Sequence, residues 1–452
     1  DGSPPASGTE SKASIRKHFP EVNMSLVLSL TFIGMMVLGV PIAFAMLIAG
    51  LVAVAMMPSV TSLVVVQNMF SSLDSFPLLA IPFFILAAEL MSGGAMTDVL
   101  LTFAARLVGK RRGGLGHANI ATLTFFSGIS GSALADAAGP GGMMIKIMKK
   151  AGYSDAYAAA LTASTAIVGP IIPPSIIMIV YALTNPDVTI TGLFVAGIVP
   201  GLMISVSLAV VNHVISVRRN YRSSDELFDG TPLFRLFFRS LPALFLPFII
   251  MGGIHLGVFT PTEASAVAVV YGLIVGRFVY GALEFDMLPA ILFRTVLMTS
   301  SILFIVATSA IFAWLLTVGQ IPQLVTAWIA GMHLSSFTLL LAVNVLLLLV
   351  GIFIEPLPGV MIMVPILAPI ADAAGIAPLQ FAIVVIVNLT LGMITPPVGS
   401  LLFVTSAVSG VKMGPMVREA YPMFAALLLV LALLTYVPGF STWLPELLGY
   451  KN

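Results

Sequence analysis

Two six-residue stretches share a pattern, Gly-x-Ile-x-Pro-Pro: Gly169-Pro170-Ile171-Ile172-Pro173-Pro174 and Gly392-Met393-Ile394-Thr395-Pro396-Pro397. Proline has no backbone N–H, and its ring clashes with the preceding helical turn. Within a helix, Pro173 and Pro174 therefore release the carbonyls of Gly169 and Pro170. Pro396 and Pro397 release those of Gly392 and Met393. Ile172 and Thr395 each precede a proline and are biased toward extended backbone. Each break is expected to expose a few carbonyl oxygens beside a hydroxyl, Ser175 in one and Thr395 in the other. A hard cation prefers such neutral oxygens. A proline kink with its carbonyls satisfied by neighbouring helices is the alternative for one break; two breaks in register favour ion sites.

Two further stretches lie upstream of the breaks. "FFSGISGSALADAAGPGG" (Phe125 to Gly142) offers the hydroxyls of Ser127, Ser130 and Ser132, with small residues that let backbones approach closely. "GIFIEPLPG" runs from Gly351 to Gly359. Each brings a carboxylate into apolar sequence, Asp136 and Glu355. Carboxylates at membrane depth are functional suspects, and capping or bracing a hairpin is the equal alternative. Half-helices meeting at a tip also aim their dipole ends at one space, where they help hold an anion.

The elements that carry these residues follow from composition. The 452-residue chain is 59% hydrophobic and 9% charged, with mean hydropathy +1.10. That is too little charge to cover a soluble domain, and the recurring long apolar runs read as an all-α polytopic membrane protein. The alternation of an outer-membrane barrel is absent. Zero cysteines exclude disulfides, thiolate metal sites and a cysteine nucleophile. The net charge of +1 gives no footprint for nucleic acid, and with no nucleotide-binding loop ATP is not the direct energy source. Residues 1–23 are polar and rich in Ser, Pro and Gly, a linker or fusion join without the apolar core of a signal peptide.

Spanning segments are expected near 25–57, 77–95, 153–182, 191–216, 241–257, 261–280, 296–317, 378–406 and 419–438, with interfacial helices at 97–110 and 283–294. Segments 115–149 and 335–371 are interrupted midway by Gly, Ser or Pro. Lys and Arg mark the cytoplasmic side. "RLVGKRRG" before the first interrupted segment and "KIMKK" after it put both of its ends there, which makes it a re-entrant hairpin. The second carries no Lys or Arg at its ends and reads as a hairpin of opposite polarity. The leader is then cytoplasmic and the carboxyl terminus outside.

The two Pro-Pro pairs lie 223 residues apart (396 − 173). The same offset pairs Gly128 with Gly351, Gly152 with Gly375, Gly169 with Gly392 and Ile171 with Ile394. "GVPIAFAMLIAGL" from Gly39 matches "FTPTEASAVAVVYGL" from Phe259 at nearly that offset. Each half reads as two spanning helices, a re-entrant hairpin, a broken helix and a final helix, with 241–257 left over as a linking helix that inverts the second half. Inverted halves with paired hairpins and broken helices indicate a secondary transporter with its site at mid-membrane. "GISG" also fits an intramembrane serine protease, but that chemistry needs a histidine base beside Ser130, and none of the five histidines stands clearly beside it.

"GGIHLGVFTPTEASAVAVVYGL" (Gly252 to Leu273), "FFSGISGSALADAAG", "GPIIPPS" and "NLTLGMITPPVGSLLF" (Asn388 to Phe403) resemble the large membrane subunit of tripartite ATP-independent periplasmic (TRAP) transporters, of the DctM/SiaM kind, over residues 24–445. The resemblance implies an elevator mechanism in the bacterial inner membrane, coupled to sodium ions. Its partners would be a small four-helix membrane subunit, sometimes fused, and a periplasmic binding protein that delivers a small organic anion. By the same resemblance one sodium site would use Ser130, Gly131 and Ser132 with Gly169, Pro170 and Ile172. A second would use Gly351 and Glu355 with Gly392, Thr395 and Pro396. Family members often carry Asp where this chain has Glu355, which leaves open whether Glu355 reaches the ion or braces the tip. Substrate would lie near Ser132, Ser175 and Thr395. The implied organisation is scaffold helices and an arm over 24–114, a transport-domain hairpin and broken helix over 115–182, and scaffold and connecting helices over 183–317. The second transport-domain hairpin and broken helix follow over 318–406, then a scaffold helix over 407–452. The alternative function is a stand-alone sodium–dicarboxylate carrier that needs no binding protein.

Overall fold

The computed structural model describes residues 24–57, 60–61, 63–92, 96–108, 112–221, 232–332 and 334–450, so the polar leader 1–23 lies outside the described residues. Those residues form helices and no strand. The first half holds α1 (Met24–Val37), α2 (Ile42–Ala55), α3 (Leu63–Leu73), α4 (Ala80–Ser92), α5 (Met96–Val108), α6 (Gly114–Ser130), α7 (Ala133–Ala138), α8 (Pro140–Lys150), α9 (Asp155–Ala166), α10 (Ile176–Thr184) and α11 (Ile190–Arg218). The second half holds α12 (Leu233–His255), α13 (Pro261–Ile274), α14 (Leu288–Val318), α15 (Ile321–Gly331), α16 (Ser336–Phe353), α17 (Pro356–Ala373), α18 (Pro378–Gly392), α19 (Ser400–Ser409), α20 (Met413–Tyr436) and α21 (Gly439–Leu447). Among the described residues, seven helices are long and apolar enough to cross a membrane.

Helix starts recur at a nearly fixed interval. Those of α6, α7, α9, α10 and α11 return in α16, α17, α18, α19 and α20 between 222 and 224 residues later. A polar contact returns with them. The Tyr157 hydroxyl donates to Asn212 Oδ1 at 2.8 Å across α9 and α11. Gln380 Nε2 donates to the Thr435 carbonyl at 2.8 Å across α18 and α20, with both partners shifted by 223 (380 − 157 and 435 − 212).

Both interrupted segments are hairpins whose feet are tied together. Past the end of α11, the Tyr221 carbonyl accepts from Gly113 N–H at 3.0 Å, and its hydroxyl accepts from Ser154 N–H at 3.2 Å. The two feet of α6–α8 thus meet at one residue. In the second hairpin Ser336 Oγ, opening α16, donates to the Ala374 carbonyl closing α17 at 3.2 Å. Helix α20 joins the two regions. Glu419 near its start pairs with Arg219 at 2.8 Å, and Tyr436 at its end stacks on Phe337 at 4.3 Å. The feet therefore sit at opposite ends of a rod about 26 Å long at 1.5 Å per residue.

Three expectations need correction. The apolar run 25–57 is two helices, α1 and α2, packed on each other. Gly39 takes φ +77° between them and Pro41 caps the second. Helix α12 leads into α13 as α1 leads into α2, so 241–257 is not left over. The arm expected at 283–294 is instead the opening of α14, and the separate short helix is α15. Helix α11 lies against α6, α9 and α18 and α20 against α9 and α18, whereas α2–α4 pack with α14 and α4 also with α13. At the centre, α9 and α18 are buried nearly from end to end, as expected of helices with no sustained polar face.

Candidate functional site

The first tip is built on glycine and serine. Helix α6 stops at Ser130 because Gly131 turns left-handed, with φ +59°. A Cβ on Gly131 would stand 2.6 Å from the Pro174 carbonyl oxygen, so the tip and the first break touch backbone to backbone. Ser132 caps α7, its Oγ accepting from Ala135 N–H at 3.4 Å. One turn further, Asp136 is fully buried. Its carboxyl accepts from the Ser130 hydroxyl, and from Ser127 Oγ at 3.5 Å. Asp136 Oδ2 also faces Gly169, where a Cβ would approach it to 2.8 Å. A carboxyl thus sits beneath the tip and against the break, with hydroxyl partners and no Lys, Arg or His paired to it among the described residues.

The breaks form where expected, but fewer carbonyls stay bare. Pro173-Pro174 and Pro396-Pro397 are both cis. Ser175 caps α10 by accepting from Met178 N–H at 3.3 Å and donates its own proton to the Pro170 carbonyl at 2.5 Å. In the second break, Thr395 N–H bonds the Gly392 carbonyl and Leu401 N–H bonds the Met393 carbonyl, each at 3.0 Å. Of the four carbonyls the prolines release, only that of Gly169 meets no donor among the described residues. The expectation of several bare oxygens per break is corrected accordingly. Donors freed by the same loss of helix fold back onto the acceptors, as buried polar groups demand.

At the second tip, Glu355 stands at the N-cap position of α17, makes no capping bond and is exposed. The capping alternative for this carboxylate is not realised. Close by, α16 crosses α18 at Gly351 and Gly392, where a Cβ on Gly351 would lie 3.2 Å from Gly392 Cα and 3.0 Å from the Leu389 carbonyl. The second tip and second break meet as the first pair do. Pro396 is half-buried and Pro397 exposed beside them, and Ile172 packs on Gly201 of α11.

Between the tips lies a cavity of about 380 Å³. Gly131 to Leu134, Glu355 to Leu357, Pro170 and Met393 form one side, and α14 closes the other from Leu297 to Ile305. Of the three expected substrate residues only Ser132 lines it. The Ser175 hydroxyl is consumed by Pro170 and α10, and Thr395 Oγ1 turns back to the Leu391 carbonyl at 2.8 Å. The wall from α14 was missed, since it is plain apolar sequence with Ser301 its one hydroxyl in the lining. The first-turn residues Ile176, Ile177, Pro356 and Leu357 bring the N-terminal ends of α10 and α17 to the cavity, and Glu355 is the only charged residue in its lining.

The chain matches the family model described as "Tripartite ATP-independent periplasmic transporter, DctM component" over residues 29–440. It is 38% identical over 420 residues to the sialic acid TRAP transporter large permease SiaM of Vibrio cholerae, covering 93% of this chain and 98% of that one. It is 39% identical over 393 residues to the C4-dicarboxylate TRAP transporter large permease DctM of Pseudomonas aeruginosa, covering 86% and 91%. Among solved structures, the YdaH transporter of Alcanivorax borkumensis shares the fold with a TM-score of 0.63 at 16% identity, covering 92% of this chain and 99% of that one. The Ser130 hydroxyl donates to Asp136 rather than to a histidine, and the family is a transporter component, so the protease reading falls. A multi-pass chain with two hairpin tips around one cavity, matched from residue 29 to 440, is a member of the DctM family, the large permease component of tripartite ATP-independent periplasmic transporters in the bacterial inner membrane.

Proposed function

We propose that this chain is the sodium-coupled, elevator-type permease of an importer for a small organic acid. It works with a small membrane subunit and a periplasmic binding protein that hands over the substrate. The observation that carries the reading is the tip cavity, into which the N-terminal turns of α10 and α17 face while no basic side chain lines it. Helix ends hold a carboxylate without a fixed positive charge, so the missing charge is supplied by the coupling ions. Asp136 beside Gly169, whose carbonyl meets no donor among the described residues, and Glu355 beside the Gly351–Gly392 crossing, offer oxygens and negative charge for sodium. Ser130, Ser132 and the first break serve one ion, and Thr395 and the second break the other.

The opposed hairpin feet and the recurring helix starts support inverted halves, with the hairpins, breaks, α11 and α20 as the moving body. In that arrangement α1–α4 and α12–α14 form the static frame, with the carboxyl terminus on the periplasmic side. The substrate class is left by the relatives between sialic acid, C4-dicarboxylates and similar acids. The test is reconstitution with the small subunit and a binding protein under an imposed sodium gradient. Uptake should need all three components and sodium. Uptake by this chain alone, indifferent to binding protein, would instead establish the stand-alone carrier.

A further inference from the structure

A second cavity of about 480 Å³ lies next to the first, between α3 and α14 on one side and α10 and α17 on the other. The two stack along α14, the tip cavity ending at Ile305 and the second beginning at Val306. Its lining includes the hydroxyls of Ser71, Ser75, Thr184, Ser309 and Thr317 and the indole of Trp314, and no charged residue. Thr184 closes α10 six residues before α11 begins, whereas Arg218, Arg219 and the foot of the lysine-bearing hairpin lie at the far end of α11. With Lys and Arg marking the cytoplasm, and α11 about 43 Å long, this cavity is on the outer side. The start of α1, where Met24 and Ser25 lie against Gly319 at the end of α14, is on that side too, opposite to the cytoplasmic entry expected when 25–57 is read as one crossing.

Its hydrogen-bonding capacity is lopsided. Thr184 donates to the Val180 carbonyl at 2.8 Å, Ser309 to Ile305 at 2.7 Å and Thr317 to Ala313 at 2.9 Å. Each has given its proton to its own helix and offers the cavity only lone pairs. Ser72 likewise donates to the Met69 carbonyl at 2.8 Å, whereas Ser71, Ser75 and the Trp314 indole N–H make no hydrogen bond among the described residues and are free to donate. Four accepting hydroxyls, three free donors and one flat aromatic face complement a solute that carries hydroxyls beside its carboxylate. A bare dicarboxylate has no proton to give the accepting hydroxyls.

We propose that this cavity is an outer docking site where a hydroxyl-bearing organic acid waits before it reaches the hairpin tips. The inference rests on the transport reading above, but not on the elevator motion. The cysteine-free chain makes the test direct. Thr317→Cys is introduced into the full membrane complex in right-side-out vesicles and treated from outside with the impermeant thiol reagent 2-sulfonatoethyl methanethiosulfonate. Labelling is expected from outside. D-gluconate and N-acetylneuraminate, used as hydroxylated probes at about ten times their dissociation constants, should slow it about tenfold, and succinate should not. Ser75→Cys repeats the measurement at a second position should Thr317→Cys fold poorly. Labelling only from inside, protection by succinate equal to that by the hydroxylated acids, or protection by neither overturns the proposal. Sodium-driven uptake is measured separately: a complex that imports its substrate yet shows no protection refutes the docking site alone, and protection without sodium-driven uptake refutes the transport reading.

Discussion

Gly131→Ala tests whether the first tip must touch the first break. Two penalties fall on the new methyl group. The left-handed backbone at φ +59° costs a residue with a Cβ about 1–2 kcal/mol. The methyl would also lie 2.6 Å from the Pro174 carbonyl oxygen, and such overpacking costs about 1–3 kcal/mol. Gly152→Ala is the matched control, since Gly152 also has positive φ, +83°, but open space around its missing Cβ. Both variants pay the backbone cost, so their difference isolates the contact. If tip and break together hold the ion, about 1–3 kcal/mol appears as a roughly five- to 150-fold higher sodium concentration for half-maximal uptake in Gly131→Ala than in Gly152→Ala. The assay is sodium titration of solute uptake in proteoliposomes with the complete transporter, with protein amount normalised by fluorescence size-exclusion. Equal sodium dependence in the two variants, both folded, would refute the reasoning.

Asp136→Asn keeps the shape of the side chain beneath Ser130 and Ser127 and removes its charge; sodium activation of uptake should weaken about tenfold or more, and an unchanged sodium titration would remove Asp136 from the ion site. Replacing Pro396 and Pro397 together by Ala restores two N–H groups opposite the Gly392 and Met393 carbonyls, which now bond Thr395 and Leu401. The helix should close and sodium dependence fall, and normal sodium activation would count against the second site. Ser175→Ala strips both the α10 cap and the donor to Pro170. The expected cost is about 1–3 kcal/mol, seen as a lower melting temperature in detergent, and an unshifted melt would contradict the bonding described.

Much of this protein was legible in its sequence because the signals were local. Long apolar runs declared helices in a membrane, since lipid leaves the backbone no other partner than itself. Pro173-Pro174 and Pro396-Pro397 declared the breaks, because a missing N–H acts wherever it stands. The fixed interval between them foretold that helix starts would repeat from α6 to α20. What the sequence alone could not decide were matters of which group reaches which. Thr395 and Ser175 looked like substrate ligands, yet their hydroxyls turn to carbonyls within their own breaks. Freed carbonyls looked bare until distant N–H groups such as Leu401 found them. The wall of α14 carries no motif, and becomes part of the site only because folding sets it across from tips built some 160 residues earlier and 50 residues later. Breaking a helix is written in one residue's covalent structure, whereas satisfying the groups it frees depends on every donor that packing brings within about 3 Å.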